Sequence, residues 1–161
     1  MTTDTASASA LRAELRDLYD DYAAALDDFD LPRWATFFTD DCHYRIVSLE
    51  NFKEGLPIST VACRGIAMIH DRIAALGVTA VFEQRVVRHI VGGVRLLEAG
   101  SEIVSQGNFA LFESQSDRES QLLLVGRYLD RIVRQGGALK FRERVCVYDN
   151  YRIRTSLVYP V

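Results

Sequence analysis

Two short stretches are the first candidates for acid and base chemistry, Asp40-Asp41-Cys42-His43-Tyr44 and Arg85-Val86-Val87-Arg88-His89. A carboxylate, an imidazole and a phenol within reach of one another can perform general acid and base catalysis. The first stretch also has a plainer reading, a solvated turn between a helix end and a strand. Strand alternation then turns His43 to the face opposite Cys42 and Tyr44. His89 shares a strand face with Val87 and Val91, the position of a satisfied core or interface histidine, and the sequence places no acid beside it. His70 lies one position off the apolar stripe of its helix and is expected at the surface. With Tyr22 added, the set Tyr22, Asp40, Tyr44 and His89 is the one from which an independent dehydratase or isomerase pocket would have to be built.

Metal and nucleotide chemistry lack their usual ligand patterns. Histidines occur only at 43, 70 and 89, with no His-x-x-x-His or His-x-Glu spacing, and the cysteines at 42, 63 and 146 form no Cys-x-x-Cys pair. Neither a zinc site nor a Rieske centre follows from such spacing, and isolated cysteines in this number suggest buried, reduced thiols rather than a disulfide framework. No phosphate-binding glycine loop or Gly-x-Ser-x-Gly elbow is present, and Gly92-Gly93 more simply ends a strand.

A chain of 161 residues that is 48% hydrophobic is expected to build one domain around a single core, with residues 1–8 a flexible start and 9–161 the folded unit. With no apolar run of membrane-spanning length and no leader-like start, it reads as cytoplasmic. The net charge of −3 argues against general nucleic-acid binding, but its distribution is uneven. Residues 1–60 hold 12 acids and 5 bases, whereas residues 117–154 hold 9 bases and 5 acids. Two signs pairing within one surface account for this, as does a basic face for an acidic partner subunit, since arginine is enriched at interfaces.

Elements to position these groups follow from periodicity. Leu11, Leu15, Leu18, Tyr19, Tyr22 and Leu26 form one stripe, predicting a helix from about Ser9 to Leu26 that ends at Asp27-Asp28-Phe29-Asp30. Asp30 is the expected N-cap of a short second helix carrying Trp34, Phe37 and Phe38, with Pro32 in its first turn. A strand over Cys42–Ser48 follows, then a loop over Asn51–Ser59, a short edge strand, and a third helix over Gly65–Leu76 with Gly77 as its stop. Alternating β-branched and aromatic residues predict four long strands near Arg85–Val94, Glu102–Glu113, Gln121–Gln135 and Leu139–Tyr148, the last two joined by a tight turn at Gly136-Gly137. Gly107 and Gly126, inside strands, are expected to mark bulges or bends that curve the sheet.

Taken in order, Asp30-x-x-x-Trp34-x-x-Phe37-Phe38-Thr39-Asp40-Asp41-Cys42-x-Tyr44, then Arg88-His89-Ile90-Val91, Gly126-Arg127-Tyr128-x-Asp130 and Arg142-x-Arg144-x-Cys146-Val147-Tyr148-Asp149 carry a resemblance across nearly the whole chain. It resembles the small (beta) subunits of bacterial Rieske-type aromatic-ring-hydroxylating oxygenases. The run Phe37 to Arg45, with Glu54-Gly55-Leu56, is most similar to the small subunits of salicylate 5-hydroxylase and terephthalate dioxygenase. The resemblance implies an NTF2-like α+β cone, a strongly curved, mainly antiparallel mixed sheet wrapped around three N-terminal helices. It further implies a non-catalytic chain without cofactor of its own, with the [2Fe-2S] Rieske cluster and the mononuclear iron in a partner large (alpha) subunit, the two assembled as an alpha3beta3 hexamer. Arg88, Arg127, Arg142 and Arg144 are then the candidate interface residues.

Overall fold

A computed structural model describes residues 2–78 and 85–161. Among the described residues, four helices and six strands follow one another as α1 (Thr2–Asp27), α2 (Leu31–Ala35), β1 (Phe38–Ser48), α3 (Leu49–Lys53), β2 (Val61–Arg64), α4 (Ile66–Val78), β3 (Val86–Glu98), β4 (Ile103–Ser114), β5 (Gln121–Gln135) and β6 (Ala138–Tyr148). The strands form one open sheet in the order β2-β1-β6-β5-β4-β3. Only β1 and β6 pair in parallel, so the sheet is mixed but mainly antiparallel.

The apolar stripe of α1 lies in the hollow of this sheet, with Leu15, Tyr19, Tyr22, Ala25 and Leu26 buried. Phe29 takes a left-handed φ of 56° at the reversal that follows, and Asp30 caps α2 by accepting from the Arg33 N–H at 3.1 Å. Trp34 and Phe38 thereby enter the same core, edge-on to each other and to Tyr44. A second, smaller cluster of Val47, Val145 and Val147 lies on the outer face of the sheet, with Leu49 of α3 against it.

Several expectations shift. The first helix begins at Thr2 rather than Ser9, because the Thr, Ser and Ala run before Ser9 contains neither glycine nor proline to break it. A short helix, α3, occupies the start of the expected loop, capped by Ser48 Oγ accepting from the Asn51 N–H at 3.2 Å. Gly77 does not stop the third helix, which continues through Val78 without a left-handed glycine. The turn after β5 is as expected, Gly136 and Gly137 having φ of 60° and 86°.

Gly107 and Gly126 do not sit at the register breaks. They are positions where something else comes too close for a side chain. A Cβ on Gly107 would lie 2.6 Å from Cε1 of Tyr19, which crosses the sheet there, and one on Gly126 would lie 2.0 Å from the Val147 carbonyl oxygen. Gly107→Ala should therefore cost about 1–3 kcal/mol, by displacing a ring, and Gly126→Ala more, since it meets main chain. Urea unfolding of the two variants checks this; equal and negligible losses would show that the close approaches are not structural constraints.

Candidate functional site

The centre of the cone holds a charge. Arg144, fully buried on β6, donates from Nε and Nη2 to the two carboxylate oxygens of Asp130 on β5, at 3.0 and 2.8 Å. Its guanidinium carbon lies 4.7, 4.1, 4.0 and 3.8 Å from the ring centroids of Tyr19, Tyr22, Tyr128 and Phe141. Burial opposes the charge, but the Asp130 carboxylate and the surrounding π faces favour it, and the guanidinium is held well above its ordinary pKa. Tyr19 of α1 donates its hydroxyl to Asp130 and lies 3.1 Å from Ser105 Oγ of β4. One ion pair thus fastens a helix and three strands.

Beside this cage the interior is closed by Val161. Its main-chain oxygen accepts from Tyr22 at 2.8 Å, Tyr44 at 3.1 Å and the Cys146 thiol at 3.3 Å, while its N–H donates to Tyr44 Oη at 2.9 Å. Tyr22 and Tyr44, two members of the candidate catalytic set, are therefore committed to one main-chain group. Burial raises the pKa of both, as it does for Tyr19 and Tyr128. Asp40 is exposed, and His43 faces outward as alternation requires.

His89 has the acid that the sequence could not place. Its Nδ1 lies 2.7 Å from Asp27 Oδ1 at the end of α1, and the same carboxylate accepts its backbone N–H at 3.0 Å. Such a pair orients an imidazole, but Nε2 is buried with no hydrogen-bond partner and the side chain has no exposed surface. The four candidate groups are thus divided among the closed core, a sealed dyad and the outer surface. Among the described residues, no three His, Cys, Asp or Glu side chains come together in the manner of a metal site. Cys42, Cys63 and Cys146 are all buried and free; burial pushes the Cys42 thiol up to about 11 and raises the other two as well.

The candidate interface arginines separate in the same way. Arg88 is exposed, with Nη1 3.5 Å from Asp27, and Arg127 lies on the outer face of β5 between Asn108 and Val147. Arg142 is exposed, its Nε 3.3 Å from Asp41. Arg144 is not an interface residue of this chain: it is the core cation just described. A register shift opposite Arg131 and Ile132 leaves Arg142 unpaired and turns Arg144 inward, a reversal that strict alternation does not anticipate. Contacts such as Arg142–Asp41 and Arg134–Glu14 also show the acid-rich start and base-rich end pairing within the chain.

Against this geometry the comparisons are decisive. The SnoaL-like domain family matches residues 7–145. The chain is 32% identical over 149 residues to the anthranilate 1,2-dioxygenase small subunit of Burkholderia cepacia, covering 92% of each. The chain belongs to the small-subunit family of aromatic-ring-hydroxylating dioxygenases. It is likewise 31% identical to a beta subunit of the terephthalate 1,2-dioxygenase terminal oxygenase of a Comamonas species, over 87% of this chain and 92% of that one. Among solved structures, the beta subunit of a candidate aromatic-ring-hydroxylating dioxygenase from Novosphingobium aromaticivorans superposes with a TM-score of 0.87 at 29% identity, over 96% of this chain and 99% of that one. The small subunit therefore has the NTF2-like α+β fold that its sequence resembles, with the sheet left open. No helix among the described residues is long and apolar enough to cross a membrane.

Two measurements probe the closed centre. Asp130→Asn, which leaves Arg144 buried without a counter-charge, should cost about 3–5 kcal/mol in urea unfolding, and the double replacement Asp130→Leu with Arg144→Met should cost clearly less. A single variant as stable as the parent would refute the pairing. The fully buried Tyr19, Tyr22, Tyr44 and Tyr128 have raised pKa values in the folded state, so their contribution to stability is full below the unfolded tyrosine value near 10 and declines as pH rises above it. Their ionisation, followed as absorbance at about 295 nm, should coincide with alkaline unfolding; ionisation while the fold is intact would contradict their burial.

Proposed function

We propose that this chain is a non-catalytic small subunit of a Rieske non-haem iron oxygenase acting on an aromatic carboxylate such as salicylate, and that it stabilises an alpha3beta3 hexamer. The closing of the cone carries the reading. An enzyme of this fold needs a hollow into which its acid and base project, whereas here Val161, the Arg144–Asp130 pair and the aromatic side chains occupy that space. The iron centres and the oxygen chemistry they supply then belong to the large subunit. A carboxylate substrate accords with the relatives named for anthranilate and terephthalate, both aromatic acids. The alternative of a stand-alone dehydratase or isomerase is not favoured, because Tyr22, Tyr44, His89 and Asp40 do not converge.

In this reading Arg88, Arg127 and Arg142 are the arginines placed to meet partner subunits, their heads at least partly accessible on the outer side of the sheet. Co-expression with a Rieske-type large subunit should give a brown complex with the mass of three large and three small chains by light scattering. Arg88→Glu combined with Arg142→Glu should weaken that complex by far more than the small loss of melting temperature that the isolated small subunit suffers from losing its exposed Arg88–Asp27 and Arg142–Asp41 pairs. A chain that ignores every large subunit offered to it would overturn the functional reading. An unchanged complex would remove only these arginines from the interface.

A further inference from the structure

Several accessible arginines of the small subunit already meet a carboxylate, among them Arg33 with Asp21, Arg131 with Glu102, Arg134 with Glu14 and Arg142 with Asp41. Arg45 and Arg64 differ. Neither has an ion pair among the described residues, and they are brought together by the pairing of β1 with β2, in which His43 lies opposite Arg64 and Arg45 opposite Ala62. All three basic side chains therefore project from the outer face of the sheet edge, with Arg45 and Arg64 as diagonal neighbours.

They line a cavity of about 380 Å³, within the range of small-molecule sites. Its other wall comes from α3 and the loop after it. Gly55, with φ of 65°, turns the chain so that the Leu56 N–H reaches the Asn51 carbonyl at 2.9 Å, and Asn51 Nδ2 reaches the Ile58 carbonyl at 3.4 Å. That fold of the loop holds Phe52 and Leu56 against the cavity with 36% and 43% of their surfaces still exposed. No acidic side chain lines it. Arg45 Nε is held by Ser59 Oγ at 3.0 Å, which fixes the guanidinium while leaving its terminal nitrogens to donate elsewhere. Glu143 lies 3.6 Å from His43 Nδ1 and is shared with Arg131 at 3.3 Å.

We propose that this cavity binds a small aromatic monocarboxylate, its carboxylate taken by the Arg45 and Arg64 guanidinium groups and its ring lying on Phe52 and Leu56. A guanidinium fork matches a carboxylate bidentately, and a ring that covers two exposed apolar side chains adds burial that a bare anion lacks. The site is on the opposite side of the sheet from the closed core and does not depend on the assembly proposed above.

The test is titration of the purified full chain with benzoate, followed by calorimetry and by amide chemical shifts. Saturable binding is expected with a dissociation constant of about 1 mM or tighter, the range open to a ligand of this size. Shift changes should centre on residues 43–64. Benzamide, of the same shape without the charge, should bind at least about tenfold more weakly, as should acetate, which lacks the ring. Arg64→Gln should also lose about tenfold, and Arg45→Gln a comparable factor, whereas Arg152→Gln, at an exposed position elsewhere, should lose nothing. Both site residues lie on the outer face, and unchanged melting of the variants will separate lost binding from lost folding. Equal affinity for benzamide, undiminished binding by Arg64→Gln, or shifts centred elsewhere would overturn the proposal. So would failure of benzoate to saturate while Arg45→Glu and Arg64→Glu weaken assembly with a large subunit, since the cavity would then take a partner's acidic side chain.

Discussion

The fold is organised around a guanidinium that has no access to water. Moving Arg144 into the middle of the cone costs several kcal/mol in desolvation, offset only by a bidentate carboxylate and by π faces around it. An apolar replacement of the same size would give comparable net stability, but it would not discriminate between registers as a charge pair does. Any slip of β5 against β6 separates Asp130 from Arg144 and leaves two ions stranded. Tyr19 joins the pair from α1 and Ser105 extends it to β4, so the position of the long helix across the sheet is tied to the same point. The absence of a side chain at Gly107 is part of the same arrangement, because Tyr19 must pass over that residue to reach the carboxylate.

That centre was the least legible part of the sequence, for an identifiable reason. Alternation counted from Leu139 and Phe141 puts Glu143 inward and groups Arg144 with Arg142 on the outside. The hairpin turn sets Gln135 opposite Ala138, and an unbroken ladder from there would align Asp130 with Glu143; the extra residue at Arg142 aligns it with Arg144 instead. A bulge of one residue has no strong signature in side-chain types, so it exchanged the inner and outer roles of adjacent residues unseen. The clue available was Asp130 itself, an acid on the inward face of β5 between Tyr128 and Ile132, which required a cation from some neighbouring strand.

Other features were readable because their causes are local. The amphipathic stripe of α1, the Asp30 cap and the Gly136-Gly137 turn each depend on residues within a few positions of one another, and each is where expected. Asp27 and His89 are 62 residues apart, and Val161 meets Tyr22 and Tyr44 from still farther away. Those meetings arise from how the chain closes upon itself, which composition and periodicity do not encode. The uneven charge along the chain was visible at once, but its meaning depended on tertiary structure too, since part of it resolves into pairs between the two ends of the sequence, Arg134 with Glu14 and Arg142 with Asp41.

The burial of all three cysteines bears on how long such a protein lasts beside oxygen chemistry. Oxidants attack thiolate rather than thiol, and their rate also follows exposure. With Cys42 ionising only near 11, and Cys63 and Cys146 likewise raised and enclosed, almost none of the reactive form exists at neutral pH. Towards peroxide or a stray disulfide, the folded chain should behave as though it contained no cysteine at all. The sulfur becomes vulnerable only when the cone opens, so its oxidation rate is a clock for unfolding rather than a measure of thiol chemistry.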